Sequence, residues 1–156
     1  MEPTETRRPT YERTRAAVRG RGFDGIFSSS SIEHFGDLPS VRRAVEEISR
    51  VLKSGGILTL STEFRLQGPG PGLDGTLVVG ATELHDVVLK DLAWSPVWPI
   101  AVDVSRATLE SEQSVDEAVA SPDGGRIPHI VLRSGPLLWT ASISLCGSTA
   151  TSATCR

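Results

Sequence analysis

The sequence predicts an α/β fold in which two strands flank an amphipathic helix. Three observations predict it. Residues 23–28 are a mostly apolar run that ends in four serines, residues 41–52 carry one apolar stripe at helical spacing, and residues 57–62 alternate β-branched and aliphatic side chains. A strand, a helix and a second strand in this order are typical of a parallel sheet with a right-handed crossover.

The composition narrows the class of protein. The 156 residues are 38% hydrophobic and 22% charged, which suits one soluble globular domain. The net charge of −3 gives no general attraction to nucleic acid, and no apolar run approaches the roughly 20 residues that span a bilayer. The first residues contain no apolar secretory segment, and Cys146 and Cys155 form no disulfide or zinc pattern. We therefore expect a cytoplasmic protein that binds neither membrane nor nucleic acid.

Three regions are expected along the chain. Residues 1–22 form a polar arm whose arginines alternate with glutamates, and a short helix is possible over residues 11–18. The arm is either solvated, which we expect, or binds phosphate groups. Residues 23–146 form the folded domain, and residues 147–156 form a low-complexity tail.

The helix over residues 41–52 has identifiable ends. Asp37 or Ser40 can cap its first turn, and Gly55 with Gly56 suits a left-handed turn at its end. The glycine- and proline-rich residues 67–75 that follow the second strand are expected to form a flexible lid or spacer, because alternating prolines remove the backbone donors that a phosphate-binding loop needs.

The second half of the chain predicts shorter elements. Thr82 is expected to cap a second helix, a strand interrupted by prolines covers residues 94–104, and Ser114 with Glu117 has the spacing of a capping box. Residues 127–133 and 137–145 flank a Ser-Gly-Pro turn and are expected to pair as an antiparallel hairpin.

Polar side chains collect where the first two strands end. Ligands of parallel α/β sheets bind beyond the carboxyl ends of the strands. This rule places the serines of residues 28–31, Glu33 and His34 at one rim, with Thr62, Glu63 and Arg65 beside them.

Two motifs in this region resemble class I S-adenosylmethionine-dependent methyltransferases. FDGIFSSSSIEHF is similar to the fourth strand of that family and its following loop, and RVLKSGGILTLST is similar to a helix end and the fifth strand. Ser54 stands where the family usually has proline in Lys-Pro-Gly-Gly. The resemblance covers residues 22–145 and implies a partial Rossmann-like sheet that closes in a C-terminal antiparallel hairpin.

The resemblance also implies a set of functional residues. The methyl donor would be S-adenosylmethionine, with its methionine end against Ser28, Ser29 and Ser30. The family's glycine-rich donor motif has no counterpart before Phe23, so the similarity is to the C-terminal half of the domain.

Glu33 and His34 are the predicted catalytic residues. Related O-methyltransferases carry a metal-binding Glu-x-x-Glu-His run here, but Ser30 replaces its first carboxylate, so no metal is expected. Because histidine exchanges a proton near neutral pH, His34 could deprotonate an acceptor hydroxyl. The pair could equally tether the loop.

Two functions are compatible with these patterns. The first is transfer of a methyl group to a small-molecule or glycan-type acceptor, with a truncated donor site. The second is a non-enzymatic half-domain, because residues 23–28 would expose an apolar edge that a homo-oligomer or a separate N-terminal half would have to cover.

Overall fold

The computed structural model describes residues 22–92, 94–120 and 131–149. Its strands form a six-stranded mixed sheet and a separate two-stranded hairpin. The predicted α/β class and the antiparallel pairing near the C-terminus are confirmed. The predicted helix over residues 11–18 lies outside the described residues.

The large sheet has the strand order β1-β2-β8-β7-β6. These strands are β1, Phe23–Ser28; β2, Leu52–Gln67; β6, Gln113–Ser114; β7, Val131–Ser134; and β8, Leu137–Thr149. As predicted, β1 and β2 are parallel, and β7 pairs with β8 in an antiparallel hairpin. Strand β1 lies at the edge of the sheet, with no strand on its outer side in the described part of the chain.

Helix α1, Leu38–Val51, joins β1 to β2. Its first turn is capped by the side chain of Asp37, which accepts a hydrogen bond of 2.7 Å from the Ser40 backbone nitrogen. Gly55 has the predicted left-handed conformation, with a φ of +76°, but it lies in β2 and not in the turn that ends the helix. The helix already ends at Val51, because the backbone of Leu52 is extended and its side chain is fully buried in the core.

Near β1, helix α1 packs on one face of the sheet, whereas the other face is exposed to solvent. Val41 and Val45 of α1 pack with Leu58 and Leu60 of β2 in the main hydrophobic core. Successive residues of a strand point to opposite faces, so the intervening side chains lie on the other face. There Phe27 is 75% exposed, which leaves that end of the sheet open to solvent.

The glycine-rich residues 67–75 contribute to a short hairpin, which the sequence did not predict. Strand β3, Gly72–Leu73, pairs with β4, Thr76–Leu77. Helix α2, Ala81–Leu84, has Gly80 at its N-cap position, so the prediction that Thr82 caps it is wrong. The helix continues into a π-helical turn over His85–Leu89.

The remaining elements are short. Strand β5, Trp94–Pro96, pairs with the end of β8, and the predicted strand beyond Pro96 is wrong because proline has no N–H to continue the ladder. Helix α3 covers Arg106–Leu109. Helix α4, Val115–Ala120, is capped as predicted by Ser114, whose side chain accepts from the Glu117 backbone nitrogen at 3.2 Å. Strand β8 continues to Thr149, so it overlaps the first three residues of the predicted tail.

Candidate active site

The loop after β1 is bound to the neighbouring strand through Ser61. The backbone N–H of Ser30 donates to the Ser61 carbonyl oxygen at 3.3 Å and to its hydroxyl oxygen at 3.1 Å. The same hydroxyl donates to the Ser29 hydroxyl across 3.2 Å. Ser30 has a φ of +43°, a left-handed conformation that is uncommon for a residue other than glycine. These contacts seat the loop on the carboxyl end of the parallel strand pair.

The three predicted donor-binding residues lie together, Ser28 as the last residue of β1 and Ser29 and Ser30 in the loop that follows. The Ser28 hydroxyl is 2.5 Å from the Ser31 hydroxyl, whereas Ser29 and Ser30 are exposed. Their position at the end of β1 agrees with the general location of ligands in parallel sheets.

The two predicted catalytic residues lie in a 3-10 turn over Ile32–His34 but differ sharply in exposure. Glu33 is only 2% exposed, and its Oε2 atom has no hydrogen-bond partner among the described residues. With Thr62 it borders a narrow crevice that has no room for a water molecule. His34, in contrast, is exposed at the surface.

His34 contacts the β3–β4 hairpin. Its Nδ1 atom lies 3.1 Å from the carbonyl oxygen of Gly75 and 3.5 Å from the Thr76 hydroxyl. A carbonyl oxygen only accepts hydrogen bonds, so Nδ1 carries the hydrogen in this contact. In the neutral ring the other nitrogen, Nε2, is then the one with a free lone pair.

Glu63 lies near both predicted catalytic residues. Burial raises the pKa of Glu63 above its ordinary value, and the negative charge of Glu33 raises it further. His34 and the indole N–H of Trp139 act in the opposite direction. The indole N–H is nevertheless without a hydrogen bond of ordinary geometry in the described part of the chain.

Arg65 fixes the chain that follows the hairpin. Its guanidinium group donates to the Val78 carbonyl oxygen at 3.0 Å and pairs with the Glu83 carboxylate. Glu83 also accepts from the Gly80 backbone nitrogen at 3.1 Å. The hydrogen bond from Arg65 holds the pKa of Glu83 below its ordinary value.

Residues 10–60 match the family model described as a methyltransferase domain. We refer to these matched residues, which are 51 of the chain's 156, as the methyltransferase-domain segment. A structure of an S-adenosylmethionine-dependent methyltransferase from Methanosarcina mazei is similar at 14% identity and a TM-score of 0.47, over 85% of this chain and 62% of that one. The chain thus spans about three fifths of the length of that protein. No curated protein matches the sequence.

The methyltransferase-domain segment contains all the predicted site residues, from Ser28 to His34. The methionine end of S-adenosylmethionine carries an ammonium and a carboxylate. Serine hydroxyls both donate and accept hydrogen bonds, so the exposed Ser29 and Ser30 suit those two groups chemically. The residues of this loop therefore fit the expected donor.

The described residues contain neither a metal-binding cluster nor a helix that could cross a membrane. Over residues 22–92, 94–120 and 131–149, no group of three or more His, Cys, Asp or Glu side chains is arranged to hold a metal ion. Helices in the same ranges are too short or too polar to cross a bilayer.

Ser61 and Trp139 were not among the residues predicted at the rim, whereas Glu63 was placed there without a role. Strand alternation could have identified Ser61, because it shares a face of β2 with Glu63 at the carboxyl end of the strand. Trp139 pairs with Arg65 across β2 and β8, a contact that no local pattern in the sequence encodes.

Proposed function

We propose that the chain acts in the cytoplasm as an S-adenosylmethionine-dependent methyltransferase on a small-molecule or glycan-type acceptor. The observation that carries the proposal lies within the methyltransferase-domain segment. There, parallel strands β1 and β2 bring the Ser28–Ser30 loop and His34 to one rim of the sheet.

In this proposal the serine loop binds the methionine end of the donor. The donor supplies a methyl group already activated by a sulfonium. His34 lies at the same rim and presents Nε2, whose lone pair takes the proton of an acceptor hydroxyl and makes that oxygen a better nucleophile. The Glu33 side chain is only 2% exposed, so it does not contact the acceptor. Its role in this proposal is the effect of its negative charge on the neighbouring site residues.

Calorimetry with the purified chain tests donor binding. We expect heat of binding from S-adenosylmethionine and from its demethylated product, S-adenosylhomocysteine. The variant Ser61→Ala removes the hydroxyl that holds the loop and should weaken both, whereas Ser111→Ala, which alters a hydroxyl bonded near α3, should not. The absence of heat at millimolar concentrations of both compounds would overturn the proposal.

The exposure of β1 favours a second candidate, a half-domain that needs a partner to complete its sheet. Phe27 is 75% exposed, Phe23 is 45% exposed and Ile57 of β2 is 51% exposed. An apolar strand at a sheet edge is a site at which another strand pairs. A second copy or a separate N-terminal half would supply that strand.

Light scattering coupled to size-exclusion chromatography separates the two candidates. The half-domain predicts a homo-oligomer, or a monomer that fails to bind the donor until a partner is added. A stable monomer that binds S-adenosylmethionine on its own would exclude it.

A further inference from the structure

We infer that the sheet face opposite to helix α1 carries a second binding site, a pocket beside Trp98 that takes a neutral planar ring with polar atoms at its edge. The pocket goes beyond the proposed function and does not depend on it. Only the source of the ring, which is either the adenine of the methyl donor or an aromatic acceptor, rests on that function.

Three strand residues place the pocket on that face. Thr59 lies between Leu58 and Leu60, which are fully buried in the core beneath α1, so its own side chain points to the opposite face. Cys146 lies opposite Thr59 in the pairing of β2 with β8, and its Sγ atom is 3.9 Å from the Thr59 hydroxyl oxygen. Ser144 is the neighbouring residue of β8 on the same face.

The pocket lies next to the proposed donor-binding loop. Ser61 holds that loop through its hydroxyl and is two residues beyond Thr59 on β2, so the two side chains share a face about 7 Å apart. Ser144, which lines the pocket, is paired directly with Ser61 across β2 and β8. A ligand bound at the loop is therefore within reach of the pocket.

The pocket has the size of a single ring system. Its volume is about 210 Å³, below the roughly 300–1,000 Å³ that enclose a whole drug-sized ligand. Its lining includes Thr59, Trp98, Pro99, Ile100, Ser144 and Cys146. None of its lining residues in the described part of the chain is charged. Because an ionised ligand would lose hydration there without gaining a counter-charge, the pocket favours a neutral ring.

Trp98 supplies an aromatic surface for such a ring. Trp98 is 68% exposed, whereas the other two tryptophans, Trp94 and Trp139, are buried. An indole stacks on a planar ring through its apolar face, and this contact adds to the gain from removing both surfaces from water. Pro99 and Ile100 extend the apolar part of the lining.

The strand residues of the pocket provide hydrogen-bonding groups for the edge of the ring. The hydroxyls of Thr59 and Ser144 both donate and accept, and the Cys146 thiol is a weak donor. Ring nitrogens, amino groups and hydroxyls find partners there, whereas a hydrocarbon ring does not use them. Adenine and a phenolic ring both combine an apolar face with such an edge.

Nuclear magnetic resonance of nitrogen-15-labelled chain tests the inference through the indole N–H of Trp98. The probes are adenosine and phenol, and the control is ribose, which is the sugar of adenosine without its base. We expect the probes at millimolar concentrations to shift the Trp98 resonance in a saturable way, while ribose does not. No saturable shift at Trp98 with either probe, or an equal shift with ribose, would overturn the inference.

Substitution of Trp98 measures its share of the binding. Trp98→Ala should weaken binding of the probes, followed through the amide resonances of Thr59 and Cys146, by about 5- to 150-fold, the range expected for a stacking aromatic. The matched control is Val97→Ala, because Val97 is an exposed neighbour outside the pocket lining. Both substituted side chains are exposed, so both variants should fold. Equal affinities in the two variants would overturn the inference.

S-adenosylhomocysteine identifies the source of the ring. If the ring is the adenine of the donor, this compound shifts the Trp98 resonance itself and displaces adenosine. If the ring belongs to the acceptor, phenol still binds when the chain is saturated with S-adenosylhomocysteine. The adenosine and phenol titrations involve no methyl donor, so their failure is distinguishable from failure of the proposed function, which the calorimetry reports.

Discussion

His34 and Gly75 are joined by a hydrogen bond of 3.1 Å from the imidazole Nδ1 to the backbone oxygen. The bond connects the turn after β1 to the loop of the β3–β4 hairpin, 41 residues further along the chain. Protonation of Nε2 leaves the Nδ1 hydrogen in place, so the contact persists in both charge states of the ring. One nitrogen of His34 thus holds the hairpin while the other is available for proton transfer.

The two roles of His34 can be separated by substitution. In His34→Asn the amide nitrogen lies near the former Nδ1 position, so the hairpin contact should survive while the base is lost. In His34→Ala both are lost, and opening of the hairpin should become easier by about 0.5–1.5 kcal/mol. Hydrogen exchange of the amides in residues 72–77 measures this, with the exposed His85→Asn as control. Equal loss of protection in the Asn and Ala variants would contradict the assignment.

Glu63 should make stability depend on pH. Its pKa is raised in the folded state, so the folded chain binds more protons than the unfolded chain between the two pKa values. The contribution of Glu63 to the free energy of unfolding is therefore fully present below its pKa in the unfolded chain. It is lost as the pH rises through its pKa in the folded chain. Urea unfolding from pH 4 to pH 7.5 should show that Glu63→Gln abolishes this loss. A Glu117→Gln control should retain it, and identical pH profiles for Glu63→Gln and wild type would refute the prediction.

The ion pair between Arg65 and Glu83 should stabilise the region around the hairpin. The Arg65 side chain is only 14% exposed, so Arg65→Gln should lower the free energy of unfolding by about 1.5–3 kcal/mol at neutral pH. The pKa of Glu83 is lowered, so its contribution exists above the ordinary pKa and is lost as pH falls through the folded pKa. The effect of the substitution should shrink in acid.

Urea titrations at pH 7 and pH 3 measure that difference. The matched control is Arg106→Gln, because Arg106 pairs with Glu110 at the surface and its side chain is 92% exposed. If both variants lower the free energy of unfolding by the same amount at pH 7, the Arg65–Glu83 pair stabilises the fold no more than an exposed pair does.

Phe27 should govern association through the β1 edge. Because its side chain is 75% exposed, Phe27→Ser should change the free energy of unfolding by no more than about 0.5 kcal/mol. It should nevertheless reduce self-association measured by light scattering over a range of concentrations. Phe35→Ser, at an exposed phenylalanine outside the strand, provides the control. Association that responds equally to both substitutions would place the interface elsewhere.

A side chain at Gly147 should destabilise the fold. A Cβ atom at this position of β8 would overlap the Cε3 atom of Trp94, whose ring is buried on β5. We expect Gly147→Ala to cost about 1–3 kcal/mol, because an overpacked core must shift. Thermal unfolding measures this cost. The control is Gly135→Ala in the β7–β8 turn, where a Cβ would meet open space although the backbone has a left-handed φ. A neutral Gly147→Ala would show that β5 does not pack there.

The elements that local patterns encode could be predicted from the sequence. Helix α1 carries an apolar stripe and an Asp37 cap, and both signals lie within the helix or next to it. The parallel pairing of β1 with β2 follows from the helix between them. The grouping of Ser28–Ser30 with His34 at one rim follows from the same rule, since Ser28 ends β1 and the other three residues follow it closely.

Features that depend on distant contacts could not be predicted. The β3–β4 hairpin forms in a glycine-rich loop and is held by His34, while Arg65 binds Val78 directly after the hairpin. The burial of Glu33 depends on packing against apolar side chains from several elements. Helix α1 ends at Val51 because Leu52 is extended and buried in the core. This burial has more effect on the end of the helix than Gly55, which lies three residues later.

The central claim is that the serine loop after β1 binds the methyl donor. Titration of nitrogen-15-labelled chain with S-adenosylhomocysteine tests it most directly. We expect saturable shifts in the amide resonances of Ser29, Ser30 and Ser61. Shifts confined to the opposite end of β2, or none at millimolar concentrations, would contradict the claim.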